Sequence, residues 1–104
     1  MEEKLLDKTR YLLRCVGIST FIKYFEVFEE YQNVTENTAI IDAFGKNKEE
    51  WTTNSYKSRA SKGKTIFKNN LENIALEYIV KDANKNKLSP TVIEKAYCLL
   101  EKNK

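Results

Sequence analysis

Histidine is absent from the 104 residues, and glycine and proline together supply only four of them. Without histidine the chain has neither the commonest general base nor the commonest metal ligand, and it has no Ser-His or Cys-His nucleophile pair. Cys15 and Cys98 are too far apart for a zinc-ligand spacing, and no glycine-rich phosphate loop occurs. The adjacent acids Glu2-Glu3, Glu29-Glu30 and Glu49-Glu50 read as solvent-facing helix surface rather than acid–base machinery. The expectation is a protein that is not an enzyme and needs no metal or cofactor. Scarcity of glycine and proline also argues against a β-rich domain, which needs frequent turns. No apolar run reaches the roughly 18–20 residues that cross a bilayer. The N-terminus has acids where a secretory leader has bases. Composition thus points to a cytoplasmic protein that is not embedded in a membrane, with its two cysteines reduced and buried on apolar helix stripes rather than joined.

Hydrophobic residues make up 41% and charged residues 32%, values of a folded globular chain. At this length one domain over residues 1–104 is expected. Charge is unevenly spread. Residues 1–50 have ten acids and seven bases, and residues 72–104 have five acids and six bases. Between them, Trp51 to Leu71 contains Lys57, Arg59, Lys62, Lys64 and Lys68 and no acid, which exceeds the whole net charge of +3. Such a stretch is an electrostatic footprint for a polyanion.

Hydrophobic periodicity predicts five or six helices and no strand. The first spans about 2–16, ending at Gly17. A second, capped by Ser19, runs to about Gln32 with an aromatic stripe of Phe21, Tyr24, Phe25, Phe28 and Tyr31, read as the main core helix or, alternatively, a dimer or partner interface. A short third helix follows Thr35 as cap, with Val34 and Ala39 as a staple, and ends at Gly45. The fourth, about 55–68, is capped by Asn54 or Ser55. At about 100° per residue its inward stripe is Tyr56, Ala60, Gly63 and Phe67, leaving Ser58, Ser61, Lys62 and Thr65 opposite, flanked by Lys57, Arg59, Lys64 and Lys68. A fifth runs from about Leu71 to Lys81 with Asn70 as cap, residues 82–87 read as a loop, and Ser89-Pro90 opens the last helix.

A short helix ending Ala43-Phe44-Gly45, followed by a basic helix, is the order of a helix-turn-helix unit. The wording Ile40-Ile-Asp-Ala-Phe-Gly45 and Ser55-Tyr-Lys-Ser-Arg-Ala-Ser-Lys-Gly-Lys64 resembles the helix-turn-helix of sigma-factor region four and related small bacterial or phage regulators. The resemblance covers about 25 of the 104 residues. It departs from the family in the eleven residues from Gly45 to Tyr56, about five more than usual, so the turn is stretched or Trp51 anchors an extra helical turn. It implies Tyr56 as buried anchor and Lys57, Ser58, Arg59 and Lys62 facing DNA. The expected architecture is therefore an all-α, compact five- to six-helix domain containing a divergent helix-turn-helix. The expected partner is duplex DNA, with Lys57, Arg59, Lys64 and Lys68 on phosphates and Ser58, Ser61, Lys62 and Thr65 at base edges, in a small transcriptional regulator. A homodimer, through the aromatic second helix or the terminal helices, would double the footprint. The alternative is a helical inhibitor or adaptor docking on an acidic or nucleic-acid-binding protein partner, favoured if Phe21, Phe25 and Phe28 form an exposed patch.

Overall fold

A computed structural model describes residues 2–81 and 87–102. Within these residues the chain forms helices α1 (Glu2–Val16), α2 (Ile18–Lys23), α3 (Phe25–Tyr31), α4 (Thr38–Lys46), α5 (Thr53–Lys68), α6 (Glu72–Lys81) and α7 (Pro90–Lys102), and no strand. The all-α expectation holds. The count rises because the expected second helix is two. At Tyr24 the backbone leaves helical geometry (φ −109°, ψ 22°) although the Tyr24 and Phe28 amides still donate to Thr20 and Tyr24 carbonyls. The bend turns Phe21, Phe25 and Phe28 into one centre while the Tyr24 ring packs edge-on against Phe44, with centroids 4.8 Å apart.

Several ends differ from the sequence expectation, each for a local reason. α4 begins at Thr38 rather than after Thr35, because the carbonyls of Val34 and Thr35 accept hydrogen bonds from Lys64 Nζ (2.7 and 3.3 Å). Val34 stays exposed and makes no buried staple. Gly45 does not end α4; Asn47 does, its side-chain amide donating to the Ala43 carbonyl at 2.9 Å. Thr52, not Asn54 or Ser55, caps α5, its hydroxyl accepting from the Ser55 amide at 3.1 Å. Asn70 closes α5 instead of opening α6. In a left-handed conformation (φ 57°) it lets Asn70 and Leu71 donate to the Phe67 and Ile66 carbonyls, the Schellman arrangement. Ser89 and Pro90 start α7 as expected, the Val92 amide donating to Ser89 Oγ at 3.3 Å. The expected loop at 82–87 lies, but for Lys87, outside the described residues.

α5 is the central helix. It packs most extensively on α1 and also meets α3, α4 and α6, while α7 closes the far side against α6 and α2. All five phenylalanines are buried and joined by ring contacts. Phe67 of α5 meets Phe25 edge-on at 4.9 Å, and Phe28 meets Phe44 at 6.2 Å. The aromatic stripe is therefore core, and the exposed patch that would favour an interface through α2 and α3 does not exist. The inward stripe of α5 is as expected: Ala60, Gly63 and Phe67 are buried and Tyr56 half-buried. The cysteines are free but not buried as expected, Cys15 being half-exposed and Cys98 exposed.

Gly63 sets the depth of the core. A Cβ there would lie 2.5 Å from the Phe28 ring, which is fully buried and has nowhere to go. Gly45, also helical, has nothing within 4 Å of the same position. Gly63→Ala is therefore expected to destabilise the protein by about 1–3 kcal/mol through overpacking. Gly45→Ala should stabilise it by roughly 0.5–1 kcal/mol through helix propensity. Urea melts of the two variants check both signs.

Candidate anion-binding surfaces

The acid-free segment lies on the central helix, so its cations divide between interior and surface. Lys64, at 6% exposure, is buried; its ammonium rests on the Val34 and Thr35 carbonyls. Burial, and secondarily the charge of Lys68, push its pKa below the ordinary lysine value. Arg59 also turns inward. Its Nη1 donates to the Val16 carbonyl (2.7 Å) and to Thr20 Oγ1 (3.0 Å), its Nε donates to Ser55 Oγ (2.9 Å), and its guanidinium lies 4.1 Å from the Trp51 ring centroid. Val16 ends α1, so Arg59 supplies a cation and a donor to a helix C-terminus across 43 residues of sequence. Gly17 makes room for it. At φ 91° it ends α1 and precedes α2, and a Cβ there would lie 2.9 Å from Arg59 Nη1.

Of the eight residues expected to face DNA, Lys57, Ser58, Ser61 and Lys68 are exposed, and Lys62 and Thr65 are partly so. Lys57, Ser58, Ser61, Thr65 and Lys68 fall on one side of α5 at helical spacing and span about 16 Å of its length. Thr65 Oγ1 donates to the Ser61 carbonyl at 2.9 Å, which leaves its oxygen as an acceptor. Lys62 is set aside from that line, its ammonium 5.9 Å from the ring centroid of Tyr11 in α1. Trp51 precedes α5 rather than extending it, and packs on Phe44 and Tyr56. The residues from Gly45 to Tyr56 comprise the end of α4, the segment that carries Trp51 and the first turn of α5, Thr53–Tyr56.

That segment is tied down by a second polar cluster. Glu49 accepts from Lys23 Nζ (2.7 Å) and Tyr24 OH (2.6 Å), and Tyr56 OH donates to the Glu49 carbonyl. Burial works against the Glu49 carboxylate, but the hydrogen bonds from Lys23 and Tyr24 and the charges of Lys23 and Arg59 together hold its pKa below the usual value. Burial, then the Glu49 carboxylate, pushes the Tyr24 phenol well above its ordinary range.

Comparison with protein-family models, curated proteins and solved structures finds no match to this chain.

A feature absent from the sequence reading appears where α1, α2, α5 and α6 meet. A cleft of about 430 Å³ is lined by Arg10, Arg14 and Arg59, by Ser19 and Thr20, and by Leu13, Ile18, Tyr78 and Leu88 with Gly17. The sequence held a signal for it. Residues 8–25 are a second stretch without Asp or Glu, carrying Lys8, Arg10, Arg14 and Lys23. Its two arginines are four residues apart on α1, the helix that packs most extensively on acid-poor α5.

Two predictions follow from these contacts. Arg59→Ala leaves the Val16 carbonyl without its partner and uncovers Trp51, for an expected loss of about 2–3 kcal/mol. Arg59→Lys, lacking the planar fork, recovers less than half of that. Denaturation followed by the fluorescence of the sole tryptophan measures both. For Glu49, the folded pKa lies below the ordinary 4.5, so the unfolded chain takes up the proton first. Its stabilisation is present above pH 4.5 and is lost as pH falls through the folded value. Glu49→Gln should therefore be less stable than wild type at neutral pH, with the two converging on acidification, as read from urea midpoints across the acid range.

Proposed function

We propose that the protein binds duplex DNA through the outer side of α5, as a small regulator with a divergent helix-turn-helix formed by α4 and α5. The observation that carries the reading is the line Lys57, Ser58, Ser61, Thr65 and Lys68, an exposed helix side with cations at both ends, hydroxyls between and no carboxylate. Lysines at the ends suit phosphates on either side of a groove, and the hydroxyls between them suit base edges. Arg59 and Lys64 have inward roles, holding α1 and the Val34–Thr35 segment against α5 and so fixing how the helix is presented. Lys62 stands at the border with α1 as a further phosphate contact. One such helix makes few contacts, and a homodimer gives the affinity that a specific site requires. The buried phenylalanines leave the alternative of an aromatic protein-docking patch without its main support.

The test is anisotropy titration of labelled duplex DNA at two salt concentrations, with wild type and Lys57→Glu/Lys68→Glu. Both side chains are exposed and make no contact in the core, so the variant should fold normally. Wild type is expected to bind in a salt-sensitive manner. The variant should bind at least about tenfold more weakly, with a shallower salt dependence. Equal binding by variant and wild type removes α5 from the interface, and no binding at low salt overturns the reading.

A further inference from the structure

All three arginines of the chain line one cleft, while among the described residues no lysine does. The three come from distant places: Arg10 and Arg14 from successive turns of α1, Arg59 from the middle of α5. Among the described residues the lining contains no Asp or Glu, and Arg10 and Arg14 form no ion pair. The partners of Arg59 are a carbonyl and two hydroxyls, all neutral, so its hydrogen bonds leave its charge uncancelled. Glu49, whose carboxylate feels the Arg59 charge, is already paired with Lys23. Three guanidinium charges around one concavity repel one another, and the low-cost remedy is a multivalent anion between them.

The chemistry of the lining narrows the anion. Guanidinium groups match phosphate and carboxylate oxygens through paired N–H donors, where an ammonium offers only a point charge. Ser19 and Thr20 add hydroxyls at the α1–α2 corner. The remaining wall is apolar: Leu13, Ile18, Leu88 and the ring of Tyr78, whose centroid lies 5.6 Å from the Arg10 guanidinium carbon. A cleft of about 430 Å³ exceeds what a bare inorganic anion fills and is within the range of small-ligand sites.

We propose that this cleft is a binding site for a phosphate monoester attached to an apolar or aromatic group, of about mononucleotide size. Arg10 and Arg14 at its mouth grip the phosphate. Arg59 supplies a fixed charge at its floor, held there by Val16, Thr20 and the stack on Trp51. The organic part lies along Ile18, Leu88 and Tyr78. Around α5, Arg59 stands roughly 100–180° from the residues of the line that runs from Lys57 to Lys68. The site is thus separate from the proposed DNA-facing side and does not depend on that reading.

The test uses the intact protein and arginine side-chain NMR, since three arginines give three Nε–Hε signals. The probes are adenosine 5′-monophosphate, adenosine and inorganic phosphate. Adenosine 5′-monophosphate is expected to shift the arginine signals saturably at micromolar to millimolar concentration, inorganic phosphate more weakly, and adenosine not at all. Arg10→Gln and Arg14→Gln, both exposed changes, should each weaken the nucleotide by about tenfold. Lys57→Glu/Lys68→Glu should leave it unchanged, which separates this site from the DNA reading. A 5′-phosphorylated dinucleotide and its unphosphorylated counterpart distinguish sources. Tighter binding of the phosphorylated form than of the mononucleotide assigns the phosphate to a nucleic-acid end, and the reverse assigns it to a free metabolite; either supports the site. No saturable shift with any phosphate, or shifts that persist in the Arg10→Gln/Arg14→Gln double variant, overturns it.

Discussion

The most cationic segment of the chain is also the helix on which α1, α3, α4 and α6 pack. A central helix needs an apolar side and close approach, which α5 obtains from Ala60, Ile66, Phe67 and the bare backbone of Gly63 under Phe28. It cannot also keep all its charges in water. Two of its five basic side chains are therefore folded inward, where each cation would be costly without polar partners. Arg59 and Lys64 meet that requirement with main-chain carbonyls, and in doing so they fix two connections: the α1–α2 corner and the segment between α3 and α4.

Much of this organisation was legible in the amino-acid order. Helix 2–16, the inward stripe of Tyr56, Ala60, Gly63 and Phe67, and the Ser89-Pro90 start follow from periodicity and capping, which are local. The misread ends depend on partners distant in sequence. Thr35 has the character of an N-cap, but its carbonyl is taken by a lysine 29 residues away. Asn70 suits either the start of α6 or the end of α5, and the α5 carbonyls decide it. Tyr24 sits within an aromatic run that looks continuous, and the bend there accompanies contacts to Phe44 and Glu49.

For the candidate sites the same division applies. Counting basic residues found the segment but not which side chains reach solvent. Helical angle alone puts Arg59 beside the inward stripe, and the acceptor that holds it there belongs to Val16. The arginine cleft was harder still to foresee, because its lining comes from four helices and from Leu88 near the start of α7. Only the contrast between three arginines and fifteen lysines, and a second acid-free stretch at 8–25, hinted at it.

Gly17 joins two helices at a positive φ and leaves just enough space for a guanidinium that belongs 42 positions later in the chain. That arrangement imposes an order of events on a growing chain. The last carbonyl of the first helix acquires its Arg59 partner only after the middle of the fifth has been synthesised. Until then the corner is held by local forces only, and closing the long intervening loop is the entropic cost of completing it. The α1–α2 corner is thus completed together with the centre of the molecule rather than ahead of it.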